Sequence, residues 1–240
     1  MRVALCQIDT TVGDFVGNVQ RIVGAAERAL RDGAQLAVFP ELSVCGYPAE
    51  DLLLRDAFLA AHDEALGKLV DALPRGLDVL VGCLEVNADA DRAGGRRLHN
   101  AVAHLRDGSS QVVARKCLLP TYDVFDESRY FEPWSAPEQN ILELHGAKIG
   151  LVVCEDSWND EQFFGRRAYA IDPVERVVAA GAEVVINLSA SPWARGRRAA
   201  CCSTEPRAAA RRSWPRPSRA SPPPRAARWT CFLGGRIEAA

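Results

Sequence analysis

The stretch KIGLVVCEDSW, residues 148–158, decides how this chain is read. An apolar run of strand length carries Ile149, Leu151, Val152 and Val153, then stops at Cys154 and gives way to two acids, a serine and a tryptophan. Such a run, with neither the length nor the period of an amphipathic helix, predicts a buried strand. In layered α/β domains the reactive side chains gather where strands run out into loops at their carboxyl ends. Cys154 occupies such a place.

Two further stretches repeat the arrangement. LAVFP at 36–40 is followed by Glu41, and QVVAR at 111–115 is followed by Lys116. Around them the chain alternates. Residues 2–8 read as a short strand, and Val19, Ile22, Val23, Ala26, Ala29 and Leu30 fall at helical spacing before Asp32-Gly33 closes the turn. Leu59, Leu66, Leu69, Val70 and Leu73 mark a second helix, stopped by Pro74. Residues 77–86 form a third strand, and 99–105 with 111–115 form an antiparallel hairpin around RDGSS, taken as a longer loop. A helix over 174–180 ends at Gly181, and 183–188 is again a strand. The alternation predicts an α/β layered fold. Neither G-x-G-x-x-G after a strand nor a phosphate-binding G-x-x-x-x-G-K-[ST] loop occurs.

The 240 residues are 48% apolar and 25% charged, with a net charge of −2, which suits one domain of moderate size or two small ones and argues against a whole-surface binder of nucleic acid. No apolar run reaches the ~20 residues of a membrane span. The opening MRVALCQIDTTVGDF lacks the cationic and apolar regions of a signal peptide, so a cytoplasmic protein is expected, without membrane or nucleic-acid partners. Eight cysteines include no C-x-x-C pair and none with histidine at zinc spacing, so no metal site is expected.

The balance of charge is uneven. Residues 197–240 hold ten Arg, ten Ala, six Pro and only two acids, a net of +8, whereas 1–196 carry 19 basic and 29 acidic residues, a net of −10. This marks 1–196 as the domain and 197–240 as an Arg/Ala/Pro-rich tail with the composition of disorder. A functional basic arm and out-of-frame translation of GC-rich DNA both fit the tail; the second is preferred.

A Cys, a Lys and a Glu brought together suit acyl transfer. A thiol becomes a nucleophile when a base takes its proton or a cation stabilises its thiolate. Glu41 suits the base, and Lys116 suits the cation that holds Glu41 and faces the developing oxyanion. The matching substrate is an amide or a nitrile. Taken one at a time, each residue has a plainer reading: a core cysteine, a solvated glutamate, a surface lysine. An interaction protein using its basic tail is the competing class.

The surrounding words favour the enzyme. FPELSVCGYPAEDLLLR at 39–55, ARKCLLPTYDVFDESRYFEP at 114–133 and GLVVCEDSW at 150–158 together resemble the nitrilase (carbon–nitrogen hydrolase) superfamily, and within it the glutaminase domain of glutamine-dependent NAD synthetases. The resemblance runs to NLSASPWARGR at 187–197. It implies a four-layer α-β-β-α sandwich, incomplete at the C-terminus, and catalytic roles for Glu41, Lys116 and Cys154. It also implies glutamine-binding roles for Tyr122, Ser191 and Arg197. Glu127 matches a second glutamate of such enzymes, but its alignment leaves it outside the catalytic set. The implied reaction is hydrolysis of the L-glutamine amide, needing no cofactor. ATP and deamido-NAD would belong to a synthetase domain with no counterpart in the tail. Family members are homo-oligomers. A sheet short of its last strands would leave the chain poorly soluble and weakly active or inactive. The competing enzyme reading is a free-standing carbon–nitrogen hydrolase for another amide or nitrile.

Overall fold

A computed structural model describes residues 1–122, 125–159, 161, 165–190 and the backbone course of 228–231. Five strands make the first sheet: β1 (Val3–Leu5), β2 (Leu36–Val38), β3 (Asp78–Val86), β4 (Leu98–Arg106) and β5 (Ser109–Arg115), side by side in chain order. β1, β2 and β3 are parallel, and the pairs β3–β4 and β4–β5 are antiparallel. The second sheet runs β6 (Ile141–Leu144), β7 (Ala147–Val153), β8 (Val184–Leu188) and β9 (Arg228–Cys231). Only β6 is antiparallel there.

The layers follow from which faces are apolar. α1 (Phe15–Arg31) starts at Asp14, whose side chain accepts from the Gly17 amide. It lays Ile22, Ala25, Ala26 and Ala29 on the first sheet, next to Leu69 of α2 (Asp56–Ala72), over Ala37, Phe39, Val79 and Val81. The opposite face of that sheet gives Leu36, Val38, Leu80 and Val102 to a shared core with Ile149, Leu151, Val153, Ile186 and Leu188 of the second sheet. Each such fully buried aliphatic side chain contributes roughly 1.5–3 kcal/mol. After the one-turn α3 (Ala90–Ala93), α4 (Pro173–Ala179) covers the outer face of the second sheet, with Val177 against Val152 and Val185. The order is helices, sheet, sheet, helix: the expected α-β-β-α sandwich. Among the described residues no helix is long and apolar enough to cross a membrane.

Three details differ from the sequence reading. The β4–β5 hairpin turns on two residues, Asp107 (φ 49°) and Gly108 (φ 85°), because the strand already begins at the exposed Ser109. β6 is too short and half-buried to show a period. A strand also lies within the basic tail, where β9 pairs with β8 from Val184↔Arg228 to Asn187↔Cys231.

One buried carboxylate ties the two sheets together. Asp78, at the amino end of β3, is fully buried. Its Oδ1 lies 2.7 Å from His104 Nε2, and its Oδ2 lies 2.9 Å from His145 Nε2 and also accepts from Arg106. His104 and Arg106 belong to β4, whereas His145 sits in the β6–β7 turn of the other sheet.

Candidate active site

Glu41 follows β2 through Phe39-Pro40, and its position depends on a missing side chain in the next strand. Gly82 of β3 donates to the Pro40 carbonyl at 3.2 Å. A Cβ on Gly82 would stand 2.2 Å from the Leu42 nitrogen and 2.6 Å from the Glu41 Cα. The chain then turns sharply at Leu42, which has φ 48°, a left-handed conformation that side chains other than glycine adopt only when their surroundings enforce it.

Lys116 leaves β5 with its backbone amide on the Asn100 carbonyl, 2.8 Å away. Its Nζ lies 2.8 Å from Glu41 Oε1 and 2.8 Å from each oxygen of Glu127. Tyr47 donates its hydroxyl to Glu127 Oε1 at 2.8 Å, and Asn100 donates Nδ2 to Glu41 Oε1 at 2.7 Å. Glu41, Lys116, Glu127 and Asn100 are all buried. Two carboxylates thus share one ammonium away from water, where all charge cannot be neutralised unless a proton joins them. Burial pushes Glu127 up to about 7; the Lys116 ammonium opposes that shift and Glu41 adds to it. Burial alone would lower the Lys116 pKa, yet Glu127, Glu41 and Cys154 hold it well above the ordinary lysine range.

Cys154 opens the short 3-10 turn Cys154–Ser157 with φ 45°, so the second of the three strand ends also bends through the left-handed region. The bend is held from both sides. The Cys154 amide donates to Asn187 Oδ1 at 2.7 Å. Asp156 accepts from the Val153 amide at 3.0 Å through one oxygen and from the Cys117 and Leu118 amides at 2.9 and 2.7 Å through the other. Burial raises Asp156 to about 7, against the pull of those amides. The carboxylate therefore fastens the cysteine turn to the segment just after Lys116. The sulfur is reached from β8: Ser189 Oγ is 3.3 Å from Cys154 Sγ, and the amide of the next residue, Ala190, is 3.2 Å from Glu41 Oε2.

The structure therefore brings Glu41, Lys116 and Cys154 into one site, the first two in direct contact and the third through the Ser189-Ala190 step. Tyr122 is 49% exposed and donates to Glu155 Oε2 at 2.8 Å, while Tyr169 donates to Glu155 Oε1 at 2.8 Å. Ser191 and Arg197 lie outside the described residues. Glu127, set aside on alignment, is in direct contact with Lys116. Asn100, Tyr47, Asn187 and Ser189 were not singled out from sequence. Asp156 and Glu155 had a signal, since both belong to the CEDSW word, but Asn100 had none, being one of several polar residues in β4. Among the described residues no group of three or more His, Cys, Asp or Glu is placed to hold a metal ion.

Set beside known proteins, residues 2–198 match the carbon-nitrogen hydrolase family. A glutamine-dependent NAD(+) synthetase from Synechocystis is 40% identical over 195 residues, covering 81% of this chain and 35% of that protein. The enzyme of the same name from Thermotoga maritima is 37% identical over 199 residues, covering 82% and 31%. Among solved structures, a glutamine-dependent NAD+ synthetase from Acinetobacter baumannii superposes with a TM-score of 0.66 at 33% identity, over 81% of this chain and 33% of that one. An amidase of the nitrilase superfamily from Nesterenkonia shares the fold, with a TM-score of 0.62 at 24% identity over 80% of this chain and 65% of the amidase. The chain spans about a third of the length of its synthetase relatives.

Proposed function

We propose, for a chain that belongs to the carbon–nitrogen hydrolase family, that it hydrolyses the side-chain amide of L-glutamine through a thioester on Cys154, as the ammonia-supplying part of a glutamine-dependent NAD synthetase. The observation that carries this reading is the buried Glu41–Lys116 contact joined to the cysteine by two consecutive residues just after β8, Ser189 and Ala190. The family and the synthetase relatives support the choice of substrate.

In this mechanism Glu41 takes the Cys154 proton on Oε2, and the sulfur attacks the amide carbon. The tetrahedral oxyanion is stabilised by the positive charge of Lys116. Glu41 returns the proton to the departing nitrogen, ammonia leaves, and the acyl group remains on sulfur. Glu41 then takes a proton from water as its oxygen attacks the thioester, and glutamate and the thiol are regenerated. No cofactor enters these steps. Tyr122, with Ser191 and Arg197, holds the amino-acid head group; ATP and deamido-NAD belong to the synthetase reaction that uses the ammonia. The domain is built on residues 1–196, and the basic stretch 197–240 adds β9 to the edge of its second sheet.

Ammonia release tests the reading. The chain is expected to release ammonia from L-glutamine well ahead of acetamide, and Cys154→Ala or Glu41→Gln to lower the rate by about 10³-fold or more. Full activity in the Cys154→Ala variant would remove the nucleophile, and a preference for simple aliphatic amides would remove glutamine.

A further inference from the structure

The two oxygens of Glu41 are treated differently, and Asn100 is the reason. Oε1 receives both the Asn100 amide at 2.7 Å and the Lys116 ammonium at 2.8 Å. Oε2 receives the Ala190 amide, at 3.2 Å, and Ala190 follows the residue that touches Cys154 Sγ. Asn100 reaches this place from the interior of β4, opposite Leu84 of β3, and its own carbonyl accepts the Lys116 amide at 2.8 Å. One residue thus holds the side chain of the base and the backbone of the cation.

Asn100 does not serve the fold well. It is 1% exposed, and among the described residues its Oδ1 has no hydrogen-bond partner. A buried orphan carbonyl oxygen weakens a structure, so a residue placed for stability alone would be apolar. The amide orientation is nevertheless fixed: turned over, it would set Oδ1 against the Glu41 carboxylate instead of a donor.

We propose that Asn100 is a positioning residue which, by occupying Oε1, leaves Oε2 as the oxygen that exchanges protons with Cys154 and keeps Glu41 the ionised member of the Glu41–Glu127 pair. Asn100 touches Glu41 and Lys116 and acts through them. Glu41 in its charged form accepts three donors, from Lys116, Asn100 and Ala190, whereas Glu127 accepts from Lys116 and Tyr47. Other ionisable groups facing this pair are Tyr47, Cys154 and Tyr169, with Asp156 beyond Lys116. The shared proton therefore rests on Glu127. Removing the Asn100 donor moves it toward Glu41, and the base is lost at a higher pH than before.

The inference rests on the glutaminase reading above, and its test has an arm independent of that reading. Asn100→Leu keeps the branching at Cγ, with larger terminal groups, and removes both the donor and the orphan oxygen; Asn100→Asp keeps the shape but donates only while protonated. Both are compared with the unmodified 240-residue chain in the pH profiles of kcat and KM for glutamine and in the rate of Cys154 alkylation by iodoacetamide, followed by intact mass. For Asn100→Leu the acid limb of kcat and of alkylation is expected to rise by about one pH unit, roughly a tenfold loss on the acid side of the limb, with KM unchanged. For Asn100→Asp both rates are expected to fall as the pH is raised through neutrality. Acid limbs that stay where they were, or a raised KM with unchanged kcat, overturn the proposal. If Asn100→Leu does not fold, the Asn100→Asp profile decides alone. Should the unmodified chain release no ammonia from glutamine, the substrate reading fails while the alkylation profiles still judge Asn100.

Discussion

Two carboxylate clusters lie at opposite ends of β3's neighbourhood and are built from similar parts. Around Asp78 a single buried carboxylate meets Arg106 and two histidines, all three of them partly exposed. Around Lys116 two buried carboxylates meet one buried ammonium. The first matches its one carboxylate with one guanidinium and two imidazoles, all three partly exposed, so it needs no further proton and its effect is to join the sheets. The second has more carboxylates than cations, and all three groups are buried. That surplus, with burial, raises Glu127 toward holding a proton, which suits the role proposed for Glu41 as a base beside a thiol. A fold can carry equally buried charges for cohesion or for proton movement, and the count of carboxylates per cation separates the uses.

The sharpest way to break this contrast is to move the base without touching either cluster. Gly82→Ala places a methyl group where the Leu42 nitrogen and Glu41 Cα already stand, and displacement of a catalytic group by about 1 Å costs on the order of 100-fold in turnover. Ammonia release should fall by that factor while the chain still melts cooperatively; an unimpaired enzyme would mean that Glu41 tolerates loose placement. Next in size, Asp78→Ala removes the joint between the sheets. Urea denaturation should show a loss of about 2 kcal/mol, with the pH profile of Cys154 alkylation unchanged; a moved profile would couple the two clusters. The smallest effect concerns pH. With its pKa raised from 4.5 to about 7, Glu127 binds a proton more tightly in the folded chain, so the stability it contributes is complete below pH 4.5 and is lost as the pH rises through 7. Glu127→Gln should therefore lose less stability between pH 5 and 8 than the unmodified chain, by on the order of 1 kcal/mol, measured by melts across that range. An equal slope would put the proton elsewhere.

Much of this was legible beforehand. The three strand ends at Glu41, Lys116 and Cys154 stood out because an apolar run that stops at a polar residue is a local signal, and the words around them named the family. What stayed hidden depends on contacts between distant segments. Asn100 is separated from Glu41 by 59 residues and Ala190 by 149, and no local pattern marks a residue whose importance is the partner it meets. Glu127 was visible but undecidable, since only its distance to Lys116 distinguishes it from a solvated acid. Boundaries erred where burial is partial: β1 spans three residues instead of seven because its burial fades toward Leu5. The two-residue turn of the β4–β5 hairpin was masked by the polar Ser109 and Ser110.

The step from Ser189 to Ala190 acts as a caliper. One jaw rests on sulfur and the other on the Glu41 carboxylate, and a single peptide unit fixes the opening between them. A shift of that one peptide changes how far the thiol hydrogen must travel, so the reaction is tuned at a point that carries no reacting atom.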